Sequence, residues 1–458
     1  MDPDATIFAL SSAPGRAGVA VLRLTGPQAG PALEALAGPL PPPRRAQLRR
    51  IGDPATHEAI DRGLVLWFPG PGSFTGEDMA ELHLHGGRAV VAAAVEALGA
   101  LPGLRPAEPG EFTRRAFDRG RLDLAEVEGL ADLINAETEA QRRQALRQME
   151  GAFSRQIEEW REGLTAALAH AEAAIDFPDE ELPHDLEGRM THKILGLERQ
   201  ITEYLDDRHR GERLREGLCI AILGPPNAGK SSLLNALARR DVAIVSETAG
   251  TTRDVIEVHL DLGGYPVTLL DTAGLRELDA GPAADGQAAE GQAAIEAEGI
   301  RRARAGAAAA DLKLLVFDLQ DAPDYDRATR ELLDEDALAV LNKCDLVAHP
   351  ERSSLDGRPA IALSAKTGAG LPALLDLLES EVAARLGGGG TAPALTRARH
   401  RAALEDCAEA LRRAAGAGQP ELIAEDLRLA LRALGRIAGR VDVEDILDVI
   451  FRDFCIGK

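Results

Sequence analysis

Four cysteines, Cys219, Cys344, Cys407 and Cys455, are all that the 458 residues carry, far apart and with no C-x-x-C pair. That excludes a disulfide scaffold and a cysteine zinc site, and it fits a reducing compartment. Aromatic residues make up only 3%, too few for the broad stacking platforms that hold single-stranded nucleic acid. No apolar run reaches the ~18 residues that would span a membrane. The opening MDPDATIFAL lacks a basic stretch followed by a cleavable apolar one, and no N-x-[ST] acceptor occurs. The chain therefore reads as cytoplasmic, with no membrane among its partners. Positive charge is also short: 52 Lys and Arg face 74 Asp and Glu, a net charge of −22. That argues against bulk binding of a polyanion, which needs clustered cations. Lysine is the scarcest cation, present at 193, 230, 313, 343, 366 and 458 alone. A lysine kept against such an arginine bias marks a place where a compact ammonium is needed.

What is present suggests about three domains on length, and 45% hydrophobic residues suffice for their cores. Residues 1–118 alternate short strand-like runs (GVAVLRL, GLVLWF, MAELHLH) with Gly and Pro turns and one helix, RAVVAAAVEAL, an α+β pattern. Residues 119–215 read as helix, with LDLAEVEGLADLINAETEAQRRQALRQM and FSRQIEEWREGLTAALAHAEAAI as amphipathic runs and ILGLERQITEYLDDRH as a third. From 216 to 385 strands and helices alternate as in an α/β domain, and 386–458 returns to helices. The fold expected is multidomain: an α+β N-terminal domain, an all-α helical domain, and an α/β P-loop domain inserted into the helical one.

The segment GPPNAGKS (224–231) fits G-x-x-x-x-G-K-[ST], follows a strand and opens a helix. Consecutive amides of such a loop face phosphates, helped by the helix N-terminus. Asn227, Ala228, Gly229, Lys230, Ser231 and Ser232 are its candidates, with Lys230 for the β- and γ-phosphates and the Ser231 hydroxyl for Mg²⁺. DTAG follows another strand, setting Asp271 as a second carboxylate near Mg²⁺, with Thr272, Ala273 and Gly274 beside it. In NKCD, Asn342 and Lys343 precede Asp345, whose carboxylate accepts from guanine N–H groups that adenine does not offer. Ser364, Ala365 and Lys366 (SAK) close the base pocket. The order and spacing of these motifs match translation-factor-like GTPases, and the nucleotide is GTP. GTTRD (250–254) stands where the first switch belongs, with Thr252 as a second hydroxyl on Mg²⁺.

Two departures from the small-GTPase pattern bear on mechanism. Leu275 follows DTAG, where a water-orienting glutamine often sits, and leucine cannot polarise water. Asn227 adds a polar side chain near the phosphates. With the first-switch carbonyls it is a candidate ligand for a monovalent cation, which would supply positive charge as an arginine finger does. Several carboxylates in the Ala/Gly-rich stretch after DTAG compete for the water-positioning role.

The inserted GTPase domain, EAAIDFPDEE (172–181) and the terminal FCIGK together resemble the MnmE (TrmE) tRNA-modification GTPases. APGRAGVAVLRLTG, SFTGEDMAELHLHGG and PGEFTRRAFDRGRLDLAEVEGLADLI are similar to that family's folate-binding module. The resemblance implies a homodimer that joins a flavoprotein partner, MnmG (GidA). The pair would place an aminomethyl-type (carboxymethylaminomethyl) group on C5 of wobble uridine in tRNA. The one-carbon unit would come from 5,10-methylene- or 5-formyl-tetrahydrofolate. It further implies K⁺-dependent GTPase domains with Asn227, Ser246, Thr248 and Thr251 as K⁺ ligands. IEAEGI matches the context of the family's catalytic glutamate at Glu296. Arg23, Glu81, Arg121 and Lys458 become the folate residues, Arg121 standing where the family has lysine. Cys455 is equally a nucleophilic thiol or a small buried residue.

Basic clusters occur at 44–50, 208–215, 301–304 and 397–400 and, on so acidic a chain, read mostly as solvated helix faces. Contact with tRNA would then be shared with the partner. Two other readings compete: a ribosome-assembly or RNA-associated GTPase switch without folate chemistry, and a mechanical GTPase whose helices act as a stalk.

Overall fold

The computed structural model describes residues 5–176, 186–240, 242–244, 256–271, 308, 310–348, 354–387, 395–441, 447, 450–452, 454 and 457. The chain packs as two units, Met1–Ala131 with Gln148–Glu198 and Asp406–Lys458, and Asp132–Arg147 with Arg199–Glu405.

In the first unit a six-stranded sheet is ordered β3-β4-β5-β2-β1-β6. Its strands are β1 (Thr6–Leu10), β2 (Ala17–Thr25), β3 (Gln47–Gly52), β4 (Ala59–Phe68), β5 (Met79–Gly86) and β6 (Leu104–Pro106). All neighbours run antiparallel except β1 and β6. Period-two alternation divides the side chains between two faces. Leu22, Leu24, Ala80, Leu82, Leu84, Val65 and Trp67 meet helices α1 (Ala29–Ala37) and α2 (Arg88–Gly99) in one core. On the other face Ile7, Ala9 and Met79 cover Phe112 of α3 (Glu111–Asp118).

The helical runs divide more finely than periodicity suggests. The stretch read as one helix over 122–149 is two, α4 (Leu124–Ile134) and α5 (Glu139–Met149). Thr138 and Gln141 make the break, as a reciprocal cap: the Gln141 amide donates to Thr138 Oγ1 at 3.4 Å and the Thr138 amide to Gln141 Oε1 at 3.1 Å. The signal T-x-x-Q is visible in the sequence. Helix α6 (Ala152–Asp176) packs against the helix Pro420–Ala438. Buried positions 153, 157, 160, 164, 167 and 171 face 423, 427, 430, 434 and 437, a spacing of alternating four and three that makes a coiled-coil seam. Helix α7 (Leu186–Leu205) stops short of the expected end near 209, at a corner where Arg208 and His209 both have positive φ.

The second unit holds a seven-stranded sheet ordered β12-β13-β11-β10-β7-β9-β8. These are β7 (Leu218–Leu223), β8 (Ile256–Leu262), β9 (Tyr265–Asp271), β10 (Leu312–Asp318), β11 (Ala337–Asn342), β12 (Ser354–Leu355) and β13 (Arg358–Ala362). The five central strands are parallel and the two outer ones antiparallel. Leu218, Ile220 and Ile222 bury into one core, Ala221 and Leu223 into the other. A parallel strand covered on both faces needs such a continuous apolar run. Helix α8 (Arg210–Glu216) leads into β7 and α9 (Lys230–Ala238) leaves it. Among the described residues, further helices include α10 (Arg327–Arg330), α11 (Leu371–Leu386), α12 (Ala398–Gly416) and α13 (Pro420–Ala438).

Three of the four basic clusters fall within the described residues, and only part of them is solvated helix face. Residues 44–50 form a turn and part of β3, with the Arg44 guanidinium 5.8 Å from the Phe68 ring centre. In 208–215, Arg213 pairs with Asp311 at 2.7 Å and Arg215 with Asp132 at 3.0 Å. In 397–400, Arg397 pairs with Asp132 at 2.8 Å, and His400 is fully buried. Arg213, Arg215 and Arg397 thus neutralise acids of their own chain, whereas Arg44, Arg45, Arg50 and Arg208 stay exposed. Cluster 301–304 lies outside the described residues.

Candidate functional site

In a parallel sheet the loops that follow each strand gather along one edge. Here they carry the phosphate loop after β7, Asp271 at the end of β9, NKCD after β11 and SAK after β13. β7 is also where the sheet order reverses, with β9 on one side and β10 on the other. Ligands of open α/β sheets bind at such a switch point, outside the carboxyl ends of the strands.

The phosphate loop takes its shape from positions that tolerate little else. A Cβ on Gly224 would lie 2.2 Å from the Val316 carbonyl oxygen, and one on Gly229 would lie 2.2 Å from Asn342 Nδ2. Gly229 has φ +95° as the cap of α9, and Asn227 has φ +65°, the left-handed region that asparagine enters more readily than most residues. Lys230 Nζ donates to the carbonyls of Gly224 and Pro225, both at 2.9 Å, so the ammonium lies folded over the loop. Ser231 and Ser232 stand exposed in the first turn of α9 and Asn227 is exposed on the loop, while Ala228 is buried.

Asn342 links three motifs. It is 2% exposed. Its Nδ2 donates to the Ala228 carbonyl at 2.8 Å, and its Oδ1 accepts from the Ala365 amide at 3.0 Å. Lys343 has φ +64° and its ammonium pairs with Asp318, the last residue of β10, at 2.6 Å. Asp345 and Lys366 are exposed; Ser364 is buried, its backbone oxygen accepting from the Gly368 amide. Burial, then the Asp345 carboxylate, pushes the Cys344 thiol pKa up. Asp271 is placed by its backbone, in register with Ile222 of β7 and Ile256 of β8. Ser246, Thr248, Thr251, Thr252, Thr272, Ala273, Gly274, Glu296, Cys455 and Lys458 lie outside the described residues.

The first unit carries the second set of candidates. Arg23 and Glu81 are direct cross-strand neighbours, with Nε 2.8 Å from Oε1. His83 Nε2 lies 3.0 Å from the other carboxylate oxygen. Sequence reasoning missed His83, although its place two residues beyond Glu81 on a strand puts it on the same face. It also missed Asp318. Arg121 stands elsewhere, exposed, with its Cγ 3.4 Å from where a Cβ on Gly76 would be. That places it against the SFTGED loop, which Thr25 holds through a 2.6 Å hydrogen bond to Thr75. Ser11 Oγ donates to the Gly457 carbonyl at 2.9 Å. Gly457 has φ +96°, and its missing Cβ would lie 2.5 Å from the Leu10 carbonyl oxygen. Gly457 of FCIGK thus lies against the end of β1.

Comparison with known proteins agrees in extent and order. The family described as GTP-binding protein TrmE N-terminus matches residues 6–121, and the MnmE helical domain matches 124–455. The tRNA modification GTPase MnmE of Parvibaculum lavamentivorans is 59% identical, covering 99% of this chain and 100% of its own. That of Paramagnetospirillum magneticum is 57% identical, covering 99% of each. Among solved structures, the G domain of the T. maritima FeoB iron transporter is 24% identical over 36% of this chain and 98% of that one, with a TM-score of 0.24. Matched along nearly its whole length by such relatives, the chain belongs to the MnmE family of tRNA modification GTPases.

Proposed function

We propose that this chain hydrolyses GTP to drive addition of an aminomethyl-type (carboxymethylaminomethyl) group to C5 of wobble uridine in tRNA. It acts as a homodimer with a flavoprotein partner of the MnmG (GidA) type, and a tetrahydrofolate derivative supplies the one-carbon unit. One observation carries the GTP half of this reading: the Asn342 side chain joins the phosphate loop to the base-recognition loop at the carboxyl edge of the sheet. Nucleotide bound across both loops would be held at its two ends by one rigid junction.

In this mechanism Lys230 exchanges its two loop carbonyls for the β- and γ-phosphates, and Asp345 selects guanine. Glu296 orients the attacking water in place of the missing glutamine at Leu275. Bound Mg²⁺ (Ser231, Thr252) and K⁺ (Asn227, Ser246, Thr248, Thr251) would supply positive charge to the phosphates as negative charge develops. Ser231 and Asn227, both exposed residues, carry hydroxyl and amide oxygens of the kind such ions take.

For the folate, Glu81 supports the reading: its carboxylate already accepts from Arg23 and His83, and a pterin offers N–H donors of the same kind. Arg121 and Lys458 would meet the anionic glutamate tail. Leu48 and Leu64, exposed cross-strand neighbours on β3 and β4, are apolar surface of the sort a homodimer covers.

Equilibrium binding of 5-formyl-tetrahydrofolate to the full chain tests the reading against its competitor, a GTPase switch without folate chemistry. Binding that weakens in Glu81→Ala supports it, and absence of binding favours the switch. Turnover in K⁺ and in Na⁺ at equal ionic strength tests the cation; equal rates remove it.

A further inference from the structure

The two segments that connect the GTPase sheet to the helices converge on one carboxylate. Asp132, in the last turn of α4, accepts at Oδ1 from Arg215 Nε at 3.0 Å and from Arg397 Nη2 at 2.8 Å. Arg215 lies in α8, just before β7 starts at Leu218, and Arg397 lies beyond the end of α11 at Leu386, just before α12. The chain therefore comes into the GTPase sheet and leaves it beside two arginines that share a single oxygen atom. All three side chains are largely withdrawn from water, Asp132 at 14% exposure, Arg397 at 21% and Arg215 at 30%, so solvent and salt screen them less than a surface pair.

The incoming side is held without slack. Gln141 and Gln144 of α5 donate through Nε2 to the carbonyls of Arg215 and Gly211, each at 3.0 Å. Arg213 pairs with Asp311, whose other oxygen accepts from the Cys219 amide of β7 at 3.0 Å. The Ala140 amide donates to the Gly264 carbonyl at 3.0 Å, in the turn between β8 and β9. Helix α8 is thus fixed to the strand that feeds the phosphate loop, and α5 to the hairpin whose β9 ends at Asp271. Asp132 ties the last turn of α4 to this same framework through Arg215.

We propose that Asp132 is a positioning residue for nucleotide-coupled tRNA modification: by clamping Arg215 and Arg397 together, it makes movement of the GTPase sheet into movement of α4. Without the clamp Arg215 and Arg397 lose their shared partner, and hydrolysis is uncoupled from modification. The inference rests on the GTP-driven modification proposed above and goes beyond it in naming the joint.

The test is complementation of a strain lacking the gene with full-length wild type, Asp132→Asn or Arg397→Ala, alongside GTP turnover of each purified chain. The expected result is a kcat and KM for GTP within about twofold of wild type, with modified wobble uridine reduced ~tenfold or more in both variants. Arg397→Lys, which keeps the charge, recovers part of the modification. Modification at the wild-type level in Asp132→Asn overturns the proposal. So does a parallel fall of turnover and modification with earlier thermal melting in both alanine-type and amide variants, since that marks a structural role alone. If wild type itself supports no modification, the functional reading fails first, and the two failures are told apart.

Discussion

The Asn342 side-chain amide lies 2.8 Å from the Ala228 carbonyl oxygen, joining the phosphate loop directly to the base-recognition motif. Asn342→Ala removes this donor and the acceptor of the Ala365 amide together. One buried and one half-buried backbone group lose their partners, at a cost of about 1–3 kcal/mol for the buried one and less for the other. Calorimetric titration should show GTP and GDP affinity falling by at least ~tenfold, with a smaller loss for Asn342→Asp, which keeps the acceptor.

Gly229 tests the shape of the loop. Its φ of +95° and the 2.2 Å approach of Asn342 Nδ2 to a Cβ there leave Gly229→Ala both strained and clashing. Nucleotide binding should be lost while the N-terminal unit melts unchanged. Gly357→Ala is the control: its φ is +80° but nothing lies within 4 Å of the new methyl. It should carry the cost of strain, about 1 kcal/mol, and bind GTP normally.

Asp345 is exposed on the loop after β11, and its carboxylate is assigned to guanine N–H donors. Asp345→Asn replaces one acceptor pair with a donor and an acceptor. Competition binding should show a shift from guanosine towards xanthosine nucleotides, whose ring presents a carbonyl at that edge. Unchanged preference for GTP would remove Asp345 from base recognition.

Glu111 contributes to the acid stability of the first unit. Burial alone would raise its pKa, but hydrogen bonds from Arg105, from the Glu108 amide and from Arg115 outweigh that and hold it below the usual carboxylate value. A carboxyl lowered in the folded state stabilises above its unfolded pKa near 4.5, and that stability is lost as pH falls through the lower folded value. Chemical denaturation followed by a probe in this unit should therefore weaken below about pH 4.5. Glu111→Gln, which leaves Arg105 and Arg115 without the charge, should cost about 3 kcal/mol at neutral pH and flatten that acid limb.

Much of this was legible in the sequence, because strong periodicity and fixed loop chemistry are local properties. LCIAILG could only be a doubly covered strand, and G-x-x-x-x-G-K-S only a phosphate loop in that setting. Helix α11 starts and stops where Gly370 and Gly387 punctuate the sequence. Strands β3 and β8 were less visible. QLRRIG shows mostly as charge, and IEVHLDL alternates apolar and polar residues that each signal weakly. The helix break at Thr138 was legible through T-x-x-Q and was overridden by the longer periodic run. What no local pattern carries is partnership across distance. Arg215 and Arg397 look like members of basic clusters until the fold sets Asp132 between them, 83 and 265 residues away in the chain.

The coupling of GTP hydrolysis to tRNA modification is tested most directly by nucleoside analysis of wobble uridines from a strain lacking this gene, complemented with wild type or with Lys230→Ala. Lys230 holds the phosphate loop through the Gly224 and Pro225 carbonyls and is assigned to the β- and γ-phosphates. The expected result is loss of the C5-modified nucleoside in the deletion strain, its return with wild type, and its continued absence with Lys230→Ala. Modified uridine at normal levels in the deletion strain, or full restoration by Lys230→Ala, contradicts it.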